Sequence, residues 1–421
     1  MKKKLAIIGS GISGLSSAYF LHENYNITLF EKNSRIGGHS RTITIEPLPD
    51  KQVDVDTGFI VLNDKTYPEL NKLFLELDVA IDKTEMSFAI SADNGKLEWS
   101  GTSLDSLFAQ RKNLLNPSMI MGLFDINKFN KHSLNFAKAN SGLTLGELID
   151  QMKLGKWFKN YYILPMGGAI WSCSYKKIMD FPALSFVTFF HNHGLLRIDN
   201  RPQWYTPKYK SIDYVSKIQN LIDEVGEIIS NITIEKIVRF PDKVLIIDKY
   251  DRKHEFDEVV FACHPTDILA ILKDPTEVEK KILGKFTKQK NIAFTHCDIT
   301  HMPINKKCWS SWNYLYDSEG ENENVSVTYY MNKLQHIDDK YPVFVTLNPI
   351  KEIAKNKIYD QHEFYHPIFD QNAIDGQKNM DKIQGIDRLW YVGAYLNNGF
   401  HEDGIVSSIN MVKKINEKNK T

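Results

Sequence analysis

Gly9, Gly11 and Gly14 stand in G-x-G-x-x-G spacing, and an acid, Glu31, follows some way downstream. Residues of these types in this order bind a dinucleotide through the backbone. The first glycine permits a tight turn, the second lets a pyrophosphate approach the chain, and the third lets a helix pack close to a strand. With Ile12 and Ser13 they open a helix whose free N–H groups and positive dipole end face phosphate. Glu31 is placed to accept the hydroxyls of an adenosine ribose. Glu31, Lys32, Arg35, Gly37, Gly38 and Arg41 then form the run E-K-x-x-R-x-G-G-x-x-R. Two adjacent glycines predict another close backbone pass, and the two arginines predict bidentate phosphate recognition.

These residues need two strands and a helix to hold them. Residues 5–8 and 27–30 read as short apolar strands, with Leu15, Ala18, Tyr19 and Leu21 marking the amphipathic helix between. Residues 42–45 and 53–56 read as a hairpin leading to Thr57, Gly58 and Phe59. From about Tyr67 the pattern becomes helical, through Leu70, Leu73, Phe74 and Leu77, and it remains mixed to about Gln203. Strands are expected at 232–234 and 244–247, and a buried one at 256–265. Residues 291–300, 308–316, 325–331 and 343–347 are strand-like and rich in β-branched and aromatic residues. A last strand ends at Gly393, followed by a glycine-opened amphipathic helix.

A chain of 421 residues predicts two intertwined domains. Lys+Arg and Asp+Glu are both 52, so no global attraction to nucleic acid or anionic lipid follows, and only local patches would act. Cys173, Cys263, Cys297 and Cys308 lack C-x-x-C spacing and read as reduced thiols of a cytosolic protein. Met1-Lys2-Lys3-Lys4 leads into the glycine loop rather than a cleavage site, so it does not read as a signal peptide. No stretch approaches the roughly 18 apolar residues needed to span a bilayer. The expected location is cytoplasmic, at most peripheral to the inner membrane face.

The run through Arg41 resembles the extended dinucleotide motif of the flavin amine oxidase and phytoene desaturase superfamily. That resemblance implies non-covalent FAD, with the GG-x-x-R segment around the pyrophosphate and ribityl chain. It also implies Gly58 beside the flavin, with Thr57 and Phe59. Ile234 would be the position whose backbone pairs with adenine, and Gly393, Ala394, Glu402, Asp403, Gly404 and Ile405 would form the C-terminal flavin segment. The strings VDTGFIVLND, RPQWYT, MPINKKCWSSWNYL and VGAYLNNGFHEDGIVSS are similar to one bacterial subgroup. Its members are predicted FAD-binding oxidoreductases associated with cyclopropane-fatty-acid-synthase-like methyltransferases. This implies a long-chain fatty acyl or phospholipid substrate, desaturation-type hydride transfer to flavin, and a lipid methyltransferase partner. The fold implied is α/β. A discontinuous Rossmann-like FAD-binding domain of the GR2 type (1–66, 205–270 and 385–421) carries an α+β substrate-binding domain (67–204 and 271–384). Two departures stand out. Ala394 replaces an acid that binds ribityl hydroxyls in many members, and Tyr209-Lys210-Ser211 replaces a double glycine, which predicts weaker FAD retention.

The remaining candidates are histidines and aromatics. His401, beside Glu402 and Asp403, would move a proton while flavin takes a hydride, or else cap the helix. Glu402 and Asp403 suit the helix start. His264 would face the flavin or satisfy the turn before Pro265. His296 and Asp298 would share one strand face, lining the cavity or forming a polar pair. His191-x-His193 and His362-x-x-x-His366 lack a clear third ligand, read as turn or surface histidines, and predict no metal. Trp309, Trp312, Tyr314, Tyr316, Tyr329 and Tyr330 would divide between core and an apolar tunnel. Residues 107–129, apolar with Arg111, Lys112 and Lys128, read as a helical hairpin over the substrate domain or a segment lying in a membrane interface. Alternatives to the desaturase reading are a flavin-dependent fatty acid double-bond isomerase, an amine oxidase, and a lipid-binding flavoprotein without turnover.

Overall fold

The computed structural model describes residues 2–171, 175–197, 201–316 and 326–420. Cys173 therefore lies outside the described residues, as does Val325. The apolar run at residues 5–8 is buried because it sits in mid-sheet. Strand Lys3–Ile8 pairs in parallel with Tyr25–Phe30 on one side and Glu258–Phe261 on the other. Glu227–Ile229 extends the first edge and Leu389–Tyr391 the second, again in parallel. Parallel strands covered on both faces read as continuous hydrophobic runs.

Strand alternation decides what covers each face. Leu5 and Ile7 point to a helical layer, Ile12–Leu21, Ser211–Val225 and His401–Lys420, through Leu15, Val215, Ile218 and Ile405. Ala6 and Ile8 point to a small antiparallel sheet of Ile234–Arg239, Val244–Asp248 and Lys253–Phe256. Small residues bring the first and last helices together: the hydroxyls of Ser16 and Ser17 each lie 3.0 Å from Ser408 Oγ.

A seven-stranded sheet forms the second layer system. Its order is Ile358–Pro367, Lys288–His296, Phe344–Leu347, Ser326–Tyr330, Trp312–Tyr316, Phe88–Ala92, Leu97–Ser100. Only the Trp312–Tyr316 and Phe88–Ala92 pair is parallel. Helices including Pro117–Ala139, Leu164–Trp171 and Ala183–Asn192 pack on it through an aromatic core of Trp157, Phe158, Trp171, Phe186 and Phe190.

The strand expectations shift at several ends. Ile232 and Thr233 precede the strand that starts at Ile234, because the Ile232 N–H is spent on the Glu31 carbonyl at 3.0 Å. The first long strand of the seven-stranded sheet ends at His296, and Ile299–His301 and Lys306–Cys308 are short 3-10 turns capped by Asp298 and Asn305. Strand Ile358–Pro367 was not expected, since its His, Glu and Gln residues mask any apolar alternation.

The position of the missing double glycine has a definite conformation. Lys210 has φ +66° and ψ 173°, a region that glycine alone adopts without strain. The strain is held by buried Asp56. Its carboxylate accepts the Ser211 N–H at 2.9 Å, the Ser211 hydroxyl at 2.7 Å and the Thr42 hydroxyl at 2.6 Å. Asp56 thereby holds the N-terminus of helix Ser211–Val225 from another element. Lys210→Gly is expected to stabilise the protein by about 1 kcal/mol, the relief of strain exceeding the added freedom of the unfolded chain. Equilibrium urea unfolding measures this; an unchanged or lower midpoint contradicts it.

Candidate functional site

The three glycines of the first turn have different duties. Gly9 has φ +104°, and a Cβ there would lie 2.8 Å from the Ala262 carbonyl oxygen. A Cβ on Gly14 would lie 1.9 Å from the Gly9 carbonyl oxygen, so both positions are dictated by close packing. A Cβ on Gly11 meets nothing within 4 Å. Gly11 caps helix Ile12–Leu21 without any side-chain bond. Gly11, Ile12 and Ser13 line a cavity, so a bare helix N-terminus opens onto it.

Glu31 is buried and ties the end of its strand to the glycine turn. Oε2 accepts the Ser10 N–H at 3.0 Å and the Ser10 hydroxyl at 2.6 Å, and Oε1 accepts the Asn33 N–H at 2.9 Å. Lys32 is exposed beside it, and Ile234 is buried with Ile8 and Phe30.

The second glycine pair touches the first. Gly37 and Gly38 have φ +115° and +58°, and a Cβ on Gly38 would lie 2.8 Å from Gly11 Cα. The arginines depart from expectation. Arg35 donates to the carbonyls of Ile36, Gly38 and Ser40 at 3.2, 2.6 and 2.8 Å, bracing its own loop. Arg41 pairs with Asp360 in bidentate fashion at 2.8 and 3.0 Å and reaches Thr57 Oγ1 at 3.1 Å. Both guanidiniums are engaged by protein acceptors, since five fixed donors find carbonyls and a carboxylate within reach. They build the second cradle rather than present bare charge to phosphate. Gly58 presses on this loop, for its Cβ would lie 2.1 Å from the His39 carbonyl oxygen, and the Phe59 N–H donates to that oxygen at 2.8 Å. The Thr57 N–H donates to the Arg41 carbonyl at 2.8 Å.

The C-terminal segment meets the same place. The Gly393 N–H donates to Ser407 Oγ at 3.0 Å, and Ala394 lines the cavity. A Cβ on Gly404 would lie 2.8 Å from Ser13 Oγ, and Ile405 is fully buried below it. Glu402 lies outside the cavity lining: its carboxylate accepts the N–H groups of Glu69 and Leu70, both at 2.9 Å, and so caps helix Pro68–Glu76. Asp403 accepts the Phe400 N–H at 2.8 Å at the start of its own helix. Burial pushes the Asp403 carboxyl up to about 6, outweighing the N–H groups that favour its charge.

His401 stacks on Phe59, with ring centroids 3.8 Å apart. Its Nε2 lies 2.9 Å from Ser40 Oγ, which in turn bonds the buried Tyr214 hydroxyl. Burial, with His39 nearby, pushes the imidazole down to about 3, so it is neutral at ordinary pH. His264 lines the cavity and also caps helix Pro265–Ile271, with Nδ1 3.0 Å from Thr266 Oγ1. His296 is a correction. It is fully buried outside the cavity lining, with Nε2 2.7 Å from Thr346 Oγ1 and Nδ1 accepting the Asp298 N–H at 3.0 Å. Asp298 lies beyond the strand and pairs with Lys357 at 3.0 Å, so the two share no face.

The cavity is about 770 Å³ and runs from Gly11 to Trp99 and Trp171. Trp312 and Tyr329 line it, Tyr314 and Tyr316 pack against Tyr175, and Trp309 and Tyr330 cluster with Phe344. Two histidines read as turn or surface residues belong to its wall. His193 stacks on Phe189 at 3.8 Å, and His366 lies 5.2 Å from His39 between ring centroids. Each is packed against a neighbouring ring. His39 itself was overlooked; its place between Gly38 and Arg41 was the available signal. Among the described residues no three His, Cys, Asp or Glu side chains are grouped to hold a metal.

Asp403→Asn isolates one buried charge. The folded carboxyl keeps its proton to about pH 6, whereas the unfolded one releases it near its ordinary value, so wild-type stability falls as pH rises between them. The uncharged amide of the variant accepts the same N–H without that loss. The advantage of the variant is expected to grow by up to roughly 3 kcal/mol from about pH 4 to about pH 7 in urea unfolding of the cofactor-free protein. A difference independent of pH contradicts this.

Residues 7–77 match the family described as NAD(P)-binding Rossmann-like domain. A coproporphyrinogen III oxidase from Staphylococcus aureus is 56% identical over 41 residues, which is 9% of this chain and 9% of that protein. Similarity of structure extends much further. The CLA-producing fatty acid isomerase from P. acnes superposes with TM-score 0.68 at 14% identity, covering 98% of each chain. Cyclohexylamine oxidase from Brevibacterium oxydans IH-35A superposes with TM-score 0.71 at 12% identity, covering 100% of each. The chain therefore has the same fold as these two solved structures, with the Rossmann-like domain match at residues 7–77.

Proposed function

We propose that the protein is an FAD-dependent oxidoreductase acting on a long-chain fatty acyl group, carried on phospholipid, by desaturation-type hydride removal. The observation that carries this reading is one continuous cavity: it begins at the bare helix N-terminus of Gly11 and ends among Trp99, Tyr162, Ile170 and Trp171. The polar end fits a pyrophosphate and the other end fits an alkyl chain. FAD, when bound, accepts a hydride. Gly11, Ile12 and Ser13 would hold its phosphates, Glu31 its ribose, and Gly37-Gly38, Gly58 and Gly393-Ala394 its remaining length.

The chain's own groups do the rest. Phe59, Trp312, Tyr329 and Phe400 line the cavity, orient an apolar chain and exclude water. His401 is the proton-handling group. Nε2 is bonded to Ser40 Oγ, so in the tautomer that donates there Nδ1 would be the atom that accepts a proton, and burial keeps the ring neutral. Among the described residues no lysine lines the cavity, which disfavours the amine oxidase reading. Double-bond isomerisation on the same substrate class is the second reading, favoured by the full-length similarity to a fatty acid isomerase.

Gly11→Ala and Gly14→Ala separate cofactor binding from folding. Gly11→Ala is expected to leave the unfolding midpoint of the cofactor-free protein within about 0.5 kcal/mol of wild type while weakening FAD binding at least roughly tenfold by flavin fluorescence. Gly14→Ala is expected to unfold the domain. Equal FAD affinity in Gly11→Ala removes the cradle assignment. For the substrate, fatty acyl profiles of cells with and without the protein decide. New double bonds support desaturation, moved ones isomerisation, and an unchanged profile leaves only a binding role.

A further inference from the structure

Six of the eighteen exposed large apolar side chains among the described residues fall between positions 104 and 124. Leu104, Leu114 and Leu115 are 77%, 49% and 87% exposed, and Ile120, Met121 and Phe124 are also exposed. They are not scattered. Pro117, Ile120, Met121 and Phe124 repeat at the three- and four-residue spacing of one helix face on Pro117–Ala139. Leu114 and Leu115 lie in the turn that leads into it. The opposite face is committed inward. Met119 and Phe129 are fully buried, and Gly122 lets the helix approach so closely that a Cβ would lie 2.1 Å from Trp157 Cε3.

The surroundings are cationic. Arg111 and Lys307 share a single carboxylate, Asp105, with Lys307 at 3.0 Å, and Lys112 and Lys306 flank them in sequence. The patch also adjoins an opening of the cavity. Gly101 and Thr102 are exposed and line the cavity, and the chain passes from them through Ser103 to Leu104. Trp157, under the helix, is 5.8 Å from the cavity-lining Trp99 between ring centroids.

We propose that this face, Leu104 with residues 114–124, seats in the interface of an anionic lipid bilayer and holds the cavity opening at Gly101–Thr102 against it. An apolar stripe ringed by Lys and Arg buries its apolar side at the headgroup–acyl boundary, while the cations meet lipid phosphates. A second protein copy would meet the same cations on both sides, which opposes self-association of this face. Among the described residues no helix is long and apolar enough to cross a membrane, so attachment here is at the surface. The inference rests on the surface alone and stands whatever chemistry the cavity performs.

The test is co-sedimentation of the full chain with phosphatidylcholine vesicles and with vesicles that also contain phosphatidylglycerol. Wild type is expected to sediment with the anionic vesicles, and less so as salt rises. Leu115→Ser/Met121→Ser/Phe124→Ser, substitutions at exposed positions, is expected to lower the partition coefficient about tenfold or more, and Arg111→Glu/Lys112→Glu to weaken anionic binding alone. Far-ultraviolet circular dichroism melts confirm that the variants fold. Absence of sedimentation with either vesicle overturns the proposal, as does full binding by the triple serine variant. So does a concentration-dependent dimer in sedimentation velocity that the triple serine variant abolishes, which assigns the face to a second copy.

Discussion

The site depends on backbone meeting backbone without side chains between. Gly14 lies against the Gly9 carbonyl, Gly9 against the Ala262 carbonyl, and Gly38 against Gly11 Cα. Each contact is closer than any residue with a Cβ permits, and the last two join separate segments of the chain. Once they close, the first turn, the second turn and the end of strand Glu258–Phe261 form one rigid corner. The helix N-terminus at Gly11 then has a single exit, into the cavity.

Polar groups around this corner help to hold it. Glu31, Arg35, Arg41, Asp56 and Glu402 all make buried or half-buried bonds to backbone or to one another's loops. An unpaired charge so placed would cost several kcal/mol, so pairing with the nearest backbone group is the expected outcome. Burial outweighs the hydrogen bonds at three acids of this region: the carboxyls of Asp56, Glu402 and Asp403 are all pushed up, that of Asp403 to about 6. The imidazoles of His366 and His401 are pushed down by burial, each to about 3. The cavity wall therefore presents neutral rings.

The nucleotide half was legible because its signals are local. Glycine spacing and apolar runs determine strand Lys3–Ile8, helix Ile12–Leu21 and strand Tyr25–Phe30 within one short stretch of chain. The roles of Arg35 and Arg41 were not, because the partners that occupy them, the carbonyls of the 36–40 loop and Asp360, depend on how the loop folds and on a strand 319 residues away. His296 and His366 exchanged their expected places for a similar reason. Alternation puts a residue on a face, but the pairing of Lys288–His296 with Ile358–Pro367 determines which face meets the cavity. The strained Lys210 showed in the sequence only as a missing glycine.

The last wall of the cradle comes from the far end of the chain. Ser408 bonds the Ser13 carbonyl across 395 residues, and the parallel sheet takes its edge strand from Leu389–Tyr391. During synthesis the glycine turn precedes by more than 370 residues the strand and helix that support it. Contacts of such separation close slowly. Chains cut short before residue 389 therefore lack both the edge strand Leu389–Tyr391 and the helix His401–Lys420 that complete the fold around the glycine turn.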